Sequence, residues 1–144
     1  MEILVVLATV ILIFLVVSPQ FNKMKELQSV KNATGDIISV LNKAKFSTLA
    51  SLNSSSYGVH FQSDQIVLFT GTTYSGGASG NEVIYISSPA TISNVTLAGS
   101  SSSSGDVYFN RLSGIPDKSG TVTVTSPNFS KIVTISGTGV FSSN

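Results

Sequence analysis

Residues Ile3 to Val17 read ILVVLATVILIFLVV, fifteen positions without a charge and with Thr9 as the only hydroxyl. An all-round apolar helix of this kind has no polar face to turn to water, so it needs either a large partner or a membrane to cover it. As a helix it would be roughly 22 Å long at about 1.5 Å per residue, short of a hydrocarbon core of about 30 Å. A secretory signal peptide fits poorly, because no basic residue precedes the run and Pro19 follows Ser18, the small residue where cleavage would fall. A buried soluble helix fits the length but would need more covering surface than a chain of 144 residues offers. The best fit is a membrane-inserted helix that begins a little upstream of Met1. Lys23 and Lys25 after the run would draw the wrong end to the cytoplasm unless a basic leader preceded it. Glu2 is the only charge among the first 22 residues, at the front of the segment least suited to hold one.

The remaining chain is unusual in how it builds a polar surface. Charged residues are 10% of the sequence, whereas Ser and Thr together supply 39 positions, so hydroxyls must do most of the hydration. A net charge of +1 with no basic tail gives no electrostatic case for nucleic acid as a partner. Without cysteine there is no disulfide, no thiol nucleophile and no Cys-based metal site.

After Pro19 a helical period resumes, with Val30, Ala33, Ile37, Val40, Leu41 and Ala44 on one face and Lys and Asn on the other. Pro19 lacks an N–H and its ring meets the carbonyl of Leu15, which predicts a kink there, and Gly35 is a second weak point. Beyond Asn53 the grammar becomes that of strands. A hairpin is expected over residues 56 to 70, with Tyr57, Val59 and Phe61 on one face. Strands are expected at 82–87, 91–98, 107–112, 121–125 and 131–141, with the loop GTTYSGGASGN and the run Ser100 to Ser104 as flexible connections. Three parts result: 1–22 as an apolar membrane or filament helix, 23–53 as an amphipathic helix, and 54–144 as a β-rich head. The fold class is α+β, a long N-terminal helix packed on an antiparallel sheet.

Catalytic chemistry finds little support. His60 is the only histidine and alternates with Val59 and Phe61, which marks a surface or packing residue more than a ligand or base. The Gly-rich loop lacks the Gly-Lys-Ser/Thr ending of a phosphate cradle, and Asp64, Asp106 and Asp117 stand singly. No enzyme, cofactor or metal is expected.

Glu2, the aliphatic run after it, and Pro19 seventeen residues beyond Glu2 resemble the start of type IV pilins and type II secretion pseudopilins, a class III prepilin-like N-terminus. In that pattern a basic leader ending in Gly, and two or three residues before the Glu, would stand upstream of Met1. LNKAKFSTLASLNSSSYGVHF and FNRLSGIPDKSGTVTVTSPNFSKIVTISGTGVF are similar, more loosely, to the head of H-type pseudopilins and related minor pilins. The resemblance implies a lollipop-shaped prokaryotic filament subunit, first a single-pass membrane protein held by residues 3–17 and then part of an extracytoplasmic filament. Its implied partners are other pilin subunits, a prepilin peptidase and an inner-membrane assembly platform. It further implies that Glu2 pairs with the N-terminal amine of a neighbouring subunit and that Pro19 kinks the helix. DNA binding is not implied, since GTGVFSSN carries no Lys or Arg. A membrane-anchored extracytoplasmic binding module that does not polymerise is the alternative.

Overall fold

The computed structural model describes the chain from Glu2 to Asn144; Met1 and the side chains of residues 15–19 lie outside the described residues. One helix, α1, runs from Glu2 to Leu49, and a short 3-10 turn at Leu52–Ser54 leads into nine strands. These are β1 (Tyr57–Phe61), β2 (Gln65–Thr70), β3 (Glu82–Tyr85), β4 (Thr91–Leu97), β5 (Ser100–Ser102), β6 (Gly105–Tyr108), β7 (Gly120–Thr125), β8 (Ser130–Ile135) and β9 (Phe141–Ser143). The protein is α+β, with its N-terminal helix packed on antiparallel sheets.

The second half of α1 follows the period read from the sequence. Val30, Ala33, Ile37, Val40, Leu41 and Ala44 are all buried and form one cluster with both sheets. Hydroxyls on the same face are buried too, and each has a partner. Thr34 Oγ1 donates to the Val30 carbonyl at 2.7 Å and Thr48 Oγ1 to that of Ala44 at 2.9 Å, bonds that compensate their removal from water. Thr48 also accepts from the Tyr57 N–H at 2.9 Å, which fixes the helix end to the first strand. Ser29 Oγ donates to the Ser87 carbonyl and accepts from the Ala90 N–H, holding the helix to the β3–β4 connection. Gly35 leaves α1 unbroken. The kink expected at Pro19 falls where the side chain lies outside the described residues.

The strands do not form one sheet. They divide into a four-stranded sheet in the order β3-β2-β1-β6 and a five-stranded sheet in the order β5-β4-β7-β8-β9. The chain leaves the first sheet after β3, builds β4 and β5 in the second, returns for β6, and leaves again for β7. Tyr57, Val59, Phe61, Ile66 and Leu68 from the first sheet meet Ile92, Val95, Leu97, Val122, Val124, Val133 and Ile135 from the second, with α1 against both. Gly120 lies where a β-carbon would overlap the Thr96 carbonyl, so the close approach of β7 to β4 requires glycine there.

Three local readings change. Ser100–Ser102, expected as a flexible link, pairs with β4 in the register Val95↔Ser102 to Leu97↔Ser100, because a backbone can form a ladder whatever its side chains prefer. The strand expected over 107–112 is β6, which ends at Tyr108. Beyond it Phe109 makes an isolated bridge to Pro116, and Arg111 and Leu112 lie in a turn closed by the Gly114 N–H on the Asn110 carbonyl at 2.9 Å. Finally, the expected strand at 131–141 is split by a turn into β8 and β9.

Candidate functional site

Two features stand apart from ordinary packing: the first turns of α1, and a polar and aromatic cluster on the outer face of the four-stranded sheet.

From Ile3 to Phe14 the large apolar side chains of α1 are 47–80% exposed, on every side of the helix. Thr9 does not interrupt this surface, because its hydroxyl donates back to the Val6 carbonyl at 2.8 Å and is satisfied inside the helix. Glu2 lies in the first turn, exposed, where a carboxylate is favourably placed against the positive end of the helix dipole. Phe21 and Met24 carry exposed apolar surface further along, at 60% and 69%. Among the described residues no helix is long and apolar enough to cross a membrane. Glu2 is the first described residue of this uncovered apolar stretch, and neither the pairing that the resemblance implies for Glu2 nor the kink at Pro19 is among the contacts and side chains described.

The second feature was not legible as a cluster. Strand alternation puts Tyr57, Val59 and Phe61 toward the core and turns Gly58 and His60 to the opposite face, where Val67, Phe69, Asp106 and Tyr108 are their register partners. His60 Nδ1 contacts Asp106 Oδ1. Over this pair lies Tyr74 from the Gly-rich loop, its ring stacked on the imidazole at 3.8 Å and 6° and meeting Phe69 edge-on at 5.7 Å. The Phe69 ring fills the space that a β-carbon at Gly58 would take. His60, Val67 and Phe69 are consequently buried although they face away from the main core. His60 is thus a packing residue, as the alternation of its neighbours suggested. Asp106, which looked solitary, is its partner 46 residues away, and only the β1–β6 register could have revealed that.

This cluster can pin a loop, since Tyr74 is the aromatic anchor of a segment otherwise made of small and polar residues. Among the described residues no group of His, Cys, Asp and Glu is placed to hold a metal ion. No family model, curated protein or solved structure matches the chain.

Proposed function

We propose that the chain is a structural subunit of a type IV pilus or type II secretion-like filament, a minor pilin or pseudopilin, inserted in a membrane through α1 and assembled by packing of N-terminal helices. The observation that carries this reading is the continuity of α1. A single helix covers the head with one end and presents twelve residues, Ile3 to Phe14, with no intramolecular cover at the other. Such a surface is stable only when surrounded by lipid or by other apolar helices. Glu2 at its front, with Pro19 at the spacing seen in pilins, favours helices over lipid alone as the final environment. A charged group in an apolar bundle fixes register when a cation meets it and is costly when none does. In this reading the chain is no enzyme, and the β head faces outward.

The test separates insertion from assembly. Glu2→Ala removes the cost of carrying a carboxylate into the membrane and leaves the opposing amine without a partner. Membrane recovery should be kept or improved while recovery in sheared filaments falls. Glu2→Gln should fail in the same way, and Glu2→Asp should recover part of the loss. Equal filament recovery for Glu2→Ala and the parent would leave the anchored, non-polymerising module as the better account.

A further inference from the structure

Two sheets have four edges, and three of them are closed or short. On β6 the outward backbone is occupied: the Tyr108 N–H donates to Asp117 Oδ1 at 2.8 Å, the Tyr108 carbonyl accepts from the Asp117 N–H at 2.9 Å, and the Asp106 carbonyl accepts from Lys118 Nζ at 3.3 Å. The edges β5 and β9 have three residues each, and β5 is serine throughout. The fourth edge, β3, has four residues and, among the described residues, nothing bound to its outward backbone. Its sequence EVIY has no Lys or Pro and no register break, and its one charge, Glu82, is held by Lys43 of α1 at 2.6 Å. Val83 and Tyr85 are 42% and 71% exposed.

The backbone of β3 says what would fit. Ile86 donates its N–H to the Asp64 carbonyl at 2.8 Å, so Ile84, two residues back and opposite Ile66, also turns its N–H and C=O toward β2. Val83 and Tyr85 turn theirs away, and among the described residues these groups have no hydrogen-bond partner. Residues two apart with outward backbone groups are self-complementary about the residue between them. If a second copy approaches antiparallel with the two-fold axis at Ile84, Val83 of each copy stands opposite Tyr85 of the other, and each pair exchanges two main-chain hydrogen bonds. The Val and Tyr side chains then lie side by side on the outer face, a favourable cross-strand pair. Glu82 comes opposite Ile86, so no like charges oppose one another.

We infer that β3 is a self-association site that joins two copies of this chain edge to edge. A two-fold axis relating antiparallel strands of one sheet stands perpendicular to that sheet. Because α1 lies on the sheet face, against β1 and β2, this axis reverses its direction in the second copy. The joined molecules therefore point their N-terminal helices opposite ways. Two chains anchored in one membrane, or parallel in one filament, cannot meet so; chains on two facing membranes or two filaments can. The β3 contact is a trans contact, a bridge between opposed surfaces. The pairing stands on the head alone, and only its trans consequence rests on the anchored reading of α1.

The absence of native cysteine makes the test clean, since any disulfide must join two copies. Across the proposed axis the two Ile84 residues form a non-hydrogen-bonded pair with Cα atoms about 4.5 Å apart, within disulfide reach. The two Tyr85 residues are offset by two positions and lie about 8 Å apart, beyond it. In the 144-residue chain in detergent, Ile84→Cys should form a disulfide dimer about tenfold faster than Tyr85→Cys, although position 85 is the more exposed. Faster dimer formation at 85, or none at 84 in a chain whose unfolding transition is unchanged, overturns the pairing. A variant with both Val83→Lys and Tyr85→Lys, changed only at exposed positions, should sediment as monomer where the parent dimerises; a parent that is monomeric at every concentration overturns the pairing as well. When two vesicle populations, each carrying Ile84→Cys with a different tag, are mixed, the disulfide should join the two tags. Dimers confined to one tag would leave the pairing intact and overturn its trans orientation.

Discussion

The two ends of α1 use the same aliphatic residues and differ in where those residues fall around the helix. Between Val30 and Ala44 the apolar positions return every three or four residues, and the six on that face are at most 7% exposed. Between Ile3 and Phe14 they occupy every direction, and the large apolar residues there remain at least 47% exposed. The first pattern can be satisfied by one surface, and the chain provides that surface in its two sheets. An all-round pattern needs surroundings on all sides, which a β head at the other end of the helix does not supply. Periodicity thus separates what the chain completes within itself from what it leaves to its environment.

Replacing one leucine in each half tests that contrast with the largest effect. Leu41 is fully buried, so Leu41→Ala should destabilise the folded chain by about 2–5 kcal/mol, read as a lower urea midpoint in detergent solution. Leu12 is 61% exposed and touches no part of the head, so Leu12→Ala should leave that midpoint within about 0.5 kcal/mol of the parent. A comparable loss at both positions would mean that the first half of α1 has cover inside the chain, and the contrast would fail.

Between the two halves lies a tether that sets where the covered part begins. Glu26 Oε2 accepts from the Asn128 N–H at 3.1 Å and from Asn128 Nδ2 at 2.9 Å, with Ser126 Oγ at the outer limit of 3.5 Å. These contacts join the helix to the β7–β8 turn below the first buried apolar residue, Val30. Hydrogen bonds to a charged acceptor contribute about 1.5–3 kcal/mol when sheltered and less near solvent, so Glu26→Ala should cost about 1 kcal/mol. Backbone amide exchange should rise in residues 22–29 and at Asn128, with little change around Leu41. Uniform loss of protection along the helix would show that the tether is not local.

How much of this was legible follows from the range of each interaction. The face from Val30 to Ala44 and the β1–β2 hairpin are written in local periods of three to four and of two residues, and both were readable. The division into two sheets was not, because β6 pairs with β1 across 43 intervening residues that include four strands of their own, and no local pattern encodes that return. Ser100–Ser102 becomes a strand through its neighbour β4 rather than through its own residues. The same limit hid the outer-face cluster: His60, Tyr74 and Asp106 are each unremarkable where they stand in the sequence, and only strand register and a loop crossing the sheet bring them together. Glu26 and Asn128 are 102 residues apart, with nothing in either neighbourhood to name the other.

The smallest effect sharpens the comparison from the opposite sign. Gly35 lies within the self-covered half, yet it is exposed, and a β-carbon built on it would meet nothing within 4 Å. Gly35→Ala therefore gains helix propensity without creating a clash. In an exposed helical interior that exchange is favourable by about 0.5–1 kcal/mol, partly because alanine has less backbone freedom to lose on folding. The urea midpoint of the isolated chain should rise by a corresponding amount. If the chain assembles as proposed, filament recovery measured in parallel adds a second reading: where neighbouring helices pass close to this face, alanine will lower assembly while it raises stability, and where the face is open to water the two will rise or stay level together. A fall in the stability of the isolated chain would instead show that α1 needs a point of flexibility at Gly35, and that its two ends are less alike in backbone than their unbroken helix suggests.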